Sequence, residues 1–287
     1  MNILITGSNS SLSLNFQKYI KKKFNGEANL FGTNRTGESQ TGFKKIYKVD
    51  FRSSNFKKIR ETFDYVIHVA SAVPGKYHEK EFFQKINISG PINFFKKLKL
   101  KDNARILNIS SSSVYQRSKE IFLTEESKKS QSDEYGLSKL LFEQKIDELF
   151  SNSSVSILSV RVPCLLVPKI QGNFIAIMKK KILNGEKLNL SNINSPFNAA
   201  VDGDSLIEFL LNFKCNSVRE NFNVASKKTM TILEIANFIA ESTGKILFYD
   251  EVSSNFPSQM LETEKAEKHG FKPPNLKDIL KSFTNNL

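Results

Sequence analysis

Cysteine, histidine and tryptophan are scarce in this 287-residue chain, which holds two, three and none of them. Cys164 and Cys215 are too few for a disulfide framework or a cysteine-rich zinc site, and His68, His78 and His269 are too scattered for a metal cluster, so no metal is expected. No stretch approaches the ~20 consecutive apolar residues of a membrane span. The opening Met1-Asn2-Ile3-Leu4-Ile5-Thr6-Gly7-Ser8 has neither the basic start nor the cleavage site of an export signal. A cytoplasmic protein with no membrane contact is expected. Internal repeats are missing as well. What remains is a globular composition, 39% hydrophobic and 25% charged, which excludes disordered and fibrous classes. The 42 basic against 29 acidic residues leave a net charge of +13, which suits nucleic acid or a small polyanionic ligand. The lysines, however, lie in short scattered runs at residues 21–23, 57–58, 96–97, 179–181 and 227–228. Solvated faces are expected from that spread, and no nucleic-acid partner.

Short apolar runs alternate with helix-period stretches over the first 165 residues. Strands are expected at residues 2–6, 28–33, 45–49, 65–70, 104–109 and 155–162. Helices are expected after the first strand up to about residue 24, and near 56–63, 79–98 and 133–150. Buried β-branched runs alternating with helices point to parallel strands joined by right-handed crossovers. The expected fold is α/β, a Rossmann-like doubly wound parallel sheet over residues 1–165 with a smaller C-terminal substrate-binding domain over 166–287, parts of which interleave with the first. Residues 184–198 are polar and turn-rich, as a surface or substrate loop would be. Helical periodicity returns at 205–213 and 232–242, and a turn at 270–275 precedes a last helix.

Two segments carry chemistry. Thr6-Gly7-Ser8-Asn9-Ser10-Ser11-Leu12-Ser13 lies where the first strand turns into its helix, the place where free helix N–H groups bind a pyrophosphate and glycines let the backbone come close. Only Gly7 is glycine; Ser10 and Ser13 stand where a glycine-rich fingerprint would continue. On this segment alone, cofactor binding and a plain strand-to-helix turn are equal readings. Tyr135-Gly136-Leu137-Ser138-Lys139 sets Tyr135 and Lys139 four apart at a helix start, on one face, where an ammonium favours the phenolate. Upstream, Asn108-Ile109-Ser110-Ser111-Ser112-Ser113-Val114-Tyr115 brings hydroxyls to the carboxyl edge of the sheet. A Ser–Tyr–Lys set can move a proton at a carbinol or carbonyl oxygen as a hydride leaves or arrives. A surface tyrosine beside a solvated lysine is the plainer alternative, and the serine-rich strand end favours the chemical one.

Together these residues resemble the extended short-chain dehydrogenase/reductases, the NAD-dependent epimerase/dehydratase family that modifies nucleotide sugars. Thr6-Gly7 is similar to the start of T-G-x-x-G-x-x-G, Val49-Asp50-Phe51-Arg52 to the family's adenine segment, and Val66-Ile67-His68-Val69-Ala70-Ser71-Ala72 to V-I-H-x-A-A. Asn87-Ile88-Ser89-Gly90-Pro91-Ile92-Asn93 resembles N-x-x-G-T-x-N, and Val160-Arg161-Val162-Pro163-Cys164-Leu165-Leu166-Val167-Pro168 resembles L-R-x-x-N-V-Y-G-P. Further matches fall at residues 222–236 and 265–273, so the resemblance runs nearly end to end.

The resemblance implies Ser111 as catalytic hydroxyl, Tyr135 as acid/base, and Lys139 as the residue that tunes the phenol and binds the nicotinamide ribose. It also implies a cofactor site of Gly7, Ser10, Leu12, Asn34, Arg35, Asp50, Phe51, Ala70, Tyr135, Lys139 and Pro163, and a substrate site that includes Ser112, Ser113 and Cys164. Departures are Ser10 and Ser13 for glycine, Cys164 for asparagine and Val167 for glycine. At the end of the second strand, Thr33-Asn34-Arg35-Thr36 has no carboxylate to repel a 2′-phosphate and offers Arg35 to pair with one. NADP is therefore favoured over NAD; an arginine merely exposed on a loop is the other reading. Ser112 and Ser113 stand where dehydratases carry an acidic pair, and Ser113 where 3,5-epimerases carry cysteine. Transfer at carbon 4 remains, as a 4-ketoreductase or a 4-epimerase on a nucleotide sugar. A homodimer through the helices near 79–98 and 133–150 is implied by resemblance alone. The alternative from another class is a cofactor-sensing or scaffold protein that kept the fold and lost turnover, with the serine-substituted turn in its favour.

Overall fold

Ile3, Leu4 and Ile5 are wholly buried in β1 (Asn2–Thr6), which is apolar on both faces because both are covered, Ile3 and Ile5 packing into one core and Leu4 into another. A computed structural model of the chain describes residues 1–53, 56–75, 79–130, 133–170, 172–213 and 219–285, so His78 and Cys215 lie outside the described residues. After β1 come α1 (Ser11–Lys23), β2 (Asn29–Asn34), β3 (Lys45–Lys48), β4 (Thr62–His68), α2 (Lys80–Phe83), α3 (Gly90–Phe95), β5 (Lys99–Ser111), β6 (Phe122–Leu123), α4 (Glu134–Leu149) and β7 (Ser156–Val162). The second half adds β8 (Cys164–Leu166), α5 (Phe174–Leu183), β9 (Leu188–Leu190), β10 (Pro196–Phe197), β11 (Ala200–Asp202), α6 (Gly203–Asn212) and β12 (Arg219–Asn223). It ends with β13 (Met230–Thr231), α7 (Ile232–Ser242), β14 (Tyr249–Glu251), β15 (Met260–Leu261), α8 (Glu264–Lys268) and α9 (Leu276–Asn285).

Seven strands pair in the order β12-β7-β5-β4-β1-β2-β3, every ladder parallel. This is a Rossmann-like doubly wound sheet. The chain leaves β1 toward β2 and β3, then crosses back to β4 and onward, so the order reverses between β1 and β4 and a crevice opens at their carboxyl ends. On one face Leu12, Phe16 and Ile20 of α1, spaced four apart, pack with Leu206 and Leu210 of α6. The other face holds the phenylalanine-rich core of Phe31, Phe63, Phe94, Phe95 and Phe142. A further core, away from the sheet, gathers Ile175, Ile182, Ile235, Ile239 and Leu280 from α5, α7 and α9. Among the described residues no helix is long and apolar enough to cross a membrane.

Two expected helices differ. Residues 56–61 form no helix and β4 begins at Thr62, although Phe56, Ile59 and Phe63 have helical spacing and are all buried. The pairing Thr62↔Lys99 and Phe63↔Leu100 draws this stretch into the sheet, so the same apolar side chains reach the core from an irregular crossover. It also lengthens β5, which starts at Lys99 where the pattern put residue 104. The helix expected over 79–98 ends at Phe95 and is interrupted by a wider π turn at Gln84–Ser89. Such a turn adds a residue to the helix and re-aims a side chain; here the re-aimed side chain is Asn87.

Candidate active site

The crevice between β1 and β4 is shaped by Gly7. Its φ of +68° and the 3.0 Å separation between a Cβ built there and Ala70 Cα leave room for hydrogen alone. Ser10 caps α1, its Oγ accepting from Ser13 N at 3.2 Å and donating to Ser13 Oγ at 2.8 Å, and Ser13 Oγ donates to Gly7 O at 2.8 Å. The two serines that replace glycines thus brace the turn from within. The first-turn N–H groups of Ser11 and Leu12 have no intrahelical acceptor, so the turn keeps its anion-binding end. A cleft of about 340 Å³ runs from Gly7 past Asn34, Arg35, Asp50, Phe51 and Ala70. A second, of about 560 Å³, adjoins it through Ser10, Val69, Ser71 and Val73 and is lined by Leu12, Ser111 to Ser113, Tyr135, Lys139, Pro163 and Cys164. The side chains named from sequence for cofactor and substrate therefore line one continuous cleft, which fits an extended dinucleotide.

Local detail differs from expectation at three of them. The Asn34 amide is engaged in its own turn, accepting from Gly37 N at 2.6 Å and donating to Glu38 O at 3.3 Å. Asp50 is paired with Arg52, at 2.9 Å from Oδ1 to Nε and 2.5 Å from Oδ2 to Nη2. That guanidinium holds the carboxyl below its ordinary value, with Arg35 adding from farther off. Cys164 is a free thiol pushed up to about 11 by burial.

At the far end, α4 sits on the carboxyl end of β5. Asp133 caps the helix, its Oδ1 accepting from Tyr135 N at 3.0 Å, and Gly136 packs directly on the Ser113 carbonyl. Lys139 Nζ donates to Ile109 O at 2.7 Å. Tyr135, Ser111 and Ser71 line the same cleft. Burial holds the phenol above its ordinary value, the two serine hydroxyls pulling it partly back. Lys139, which the sequence reading has lowering the phenol, is turned to the Ile109 carbonyl, and burial is the largest effect on the phenol. Lys139 itself is brought down by burial to about 8.

Three supporting residues have no role in the sequence reading, which quotes Asn87 and Arg161 in motifs and does not single out Glu143. Asn87, on the π turn, accepts from Ala72 N at 2.7 Å and donates to Ala72 O at 3.1 Å and Ser138 Oγ at 2.9 Å, so it ties the Ser71 loop to the residue before Lys139. Glu143 and Arg161 form a buried ion pair at 2.8 Å beneath the strand end. The i, i+4 spacing of Lys139 and Glu143 was the available sequence signal; their common partner strand was not.

His68 sits below the crevice. Thr6 Oγ1 accepts from Val69 N at 3.1 Å and Ala70 N at 3.2 Å, so its proton points to His68 Nδ1, 2.9 Å away, and the ring is neutral. Burial among Phe51, Phe95 and Phe142 lowers its pKa to about 3, with Lys139 adding. A depressed histidine contributes stability that is complete above the unfolded value near 6.5 and drains away as pH falls toward about 3. Urea unfolding of His68→Gln is expected to lose about 2 to 3 kcal/mol less than the wild type between pH 7 and pH 4.5. Equal losses in both would place the acid sensitivity elsewhere.

Residues 3–211 match the sequence profile of the NAD dependent epimerase/dehydratase family. By sequence the chain matches no curated protein. By structure it is similar to UDP-glucuronic acid 4-epimerase from Bacillus cereus in complex with NAD, at a TM-score of 0.82 and 21% identity over 100% of this chain and 96% of that one. It is also similar to UDP-glucose 4-epimerase from Thermotoga maritima with UDP-glucose, with a TM-score of 0.78, 17% identity, and 100% and 98% of the two chains covered. MoeE5 in complex with UDP-glucuronic acid and NAD gives 0.80 and 17% over the same shares.

Proposed function

The chain belongs to the NAD dependent epimerase/dehydratase family, enzymes of the extended short-chain dehydrogenase/reductase class, and from that premise we propose that it transfers a hydride at carbon 4 of a nucleotide sugar, as a 4-ketoreductase or a 4-epimerase. The observation that carries the reading is the meeting of Ser111, Tyr135 and Lys139 in one cleft that continues into the Gly7 crevice. A bound nicotinamide dinucleotide supplies the hydride donor or acceptor. Tyr135 gives the proton to, or takes it from, the sugar oxygen, and its raised pKa keeps it protonated at neutral pH, ready to act as acid in reduction. Ser111 holds the same oxygen, and Lys139 orients the ribose. Ser112, Ser113, Pro163 and Cys164 face the sugar. A cytoplasmic homodimer, and a division into a cofactor domain over 1–165 and a substrate domain over 166–287, belong to the same proposal.

NADP is the proposed cofactor. Arg35 is exposed at the cleft mouth, and Asp50, a carboxylate lining the same cleft, is paired with Arg52. In fluorescence titrations NADPH is expected to bind more tightly than NADH, and Arg35→Ala to weaken NADPH roughly tenfold while leaving NADH nearly unchanged. Equal affinities indifferent to the substitution would remove the NADP assignment. Binding without turnover of any nucleotide-4-keto-sugar would favour the cofactor-sensing alternative.

A further inference from the structure

Three consecutive residues at the end of β5 lie beside three residues of α4. Ile109 O accepts from Lys139 Nζ at 2.7 Å, Ser110 Oγ donates to Glu143 Oε1 at 2.5 Å, and Ser111 shares its cleft with Tyr135. The middle contact is the one anchored from behind. Glu143 Oε2 accepts from Arg161 Nη2 at 2.8 Å, and Arg161 lies on β7 directly opposite Ser110. Arg161 Nε donates to Glu143 Oε1 at 3.3 Å, and Nη1 donates to Tyr115 Oη and Glu125 O, both at 3.0 Å. Glu143 and Arg161 are almost wholly buried, too deep to touch a substrate in the cleft.

We propose that Glu143 is a positioning residue for the reaction, its carboxylate tying the Lys139 turn of α4 to the strand end that carries Ser111. The inference rests on the reading of Ser111, Tyr135 and Lys139 as the reacting set. A buried ion pair contributes little to stability against an apolar replacement, because desolvation cancels most of its attraction. A buried carboxylate beside an ammonium does have an electrostatic consequence. Around Lys139 stand Tyr135 and Glu143 on its own helix, neutral His68 on β4 and Arg161 on β7, while β5 offers hydroxyls and a carbonyl. Burial pushes the ammonium down to about 8, and Glu143 is the charge that opposes the fall. Without it Lys139 would lose its proton at a lower pH, and with the proton its grip on Ile109 O and on a ribose.

The test is NADPH titration of the full chain from pH 6 to 10, compared with Glu143→Gln, which keeps the size and an acceptor oxygen and removes the charge. The pH above which binding weakens is expected to fall by about one unit in Glu143→Gln and to return toward the wild-type value in Glu143→Asp. An unmoved limb in folded Glu143→Gln overturns the proposal, since a merely structural role would lower the melting temperature and leave the limb in place. If that variant does not fold, Ser110→Ala carries the test. It deletes one hydrogen bond to the carboxylate and should lower kcat for a nucleotide-4-keto-sugar roughly fivefold with KM unchanged; an unchanged kcat overturns the proposal. A wild-type chain that binds no nicotinamide cofactor at any pH would overturn the proposed function and this inference with it, a failure distinguishable from the other two.

Discussion

Tyr135→Phe is expected to fold like the wild type and to turn over a nucleotide-4-keto-sugar ~10²–10⁴-fold more slowly, the usual cost of a lost general acid/base. The ring stays, and with it the contact to Phe83 at 5.7 Å between centroids. What goes is the phenol hydroxyl that shares the cleft with Ser111 and Ser71. Because burial raises that phenol, any alkaline fall in the rate of reduction should follow Lys139, which is half deprotonated near 8, before the phenol itself ionises. Steady-state turnover of both proteins across pH, beside urea melts, is the measurement. Wild-type turnover in Tyr135→Phe would mean that another residue carries the proton.

The second large effect is expected from a single methyl group. Gly136→Ala would set a Cβ 1.8 Å from the Ser113 carbonyl oxygen and 2.6 Å from its carbon. Both are backbone atoms, so no side chain can swing aside, and either the first turn of α4 or the serine turn after β5 must move. Overpacking of this kind costs about 1 to 3 kcal/mol of stability. The functional loss should be the greater, because Tyr135 lies one residue away and a displacement near 1 Å at a reacting group can cost ~10²-fold in rate. Urea unfolding and turnover of the variant check the two effects separately. Full activity with full stability would show that the helix start tolerates a shift that this packing does not allow.

Much of this was readable in the amino-acid order, for reasons that differ by element. The strands at residues 2–6 and 156–162 announce themselves because both faces are covered, so every position is apolar or specially paired. The helix after Asp133 is legible from its cap, and Tyr135 and Lys139 from their spacing on it. Residues 56–61 misled because an apolar period of three and four is satisfied equally well by a helix and by an irregular crossover that drops the same side chains into one core. The Asp50 and Arg52 pairing and the internal bracing by Ser10 and Ser13 depend on local backbone geometry that no periodicity encodes. The Glu143 and Arg161 pair joins residues 18 apart through a strand register, which only the folded sheet defines.

The last strand of the sheet reaches its place late in the sequence. β12 adds to the edge of β7 with Asn223 opposite Arg161, after an excursion of more than fifty residues through α5 and α6. As the polypeptide emerges during translation, six strands can assemble while the outer edge of β7 is still open, and an open edge is a template for pairing with the wrong chain. Asn223 then closes the polar cluster as well, its Oδ1 accepting from Tyr115 Oη at 2.5 Å and its N–H donating to Glu125 Oε1 at 2.7 Å. Synthesis interrupted before this strand would leave Tyr115 and Glu125 short of a partner and the sheet unsealed. The edge of β7 is thus covered in the same step that completes the polar cluster around Tyr115 and Glu125.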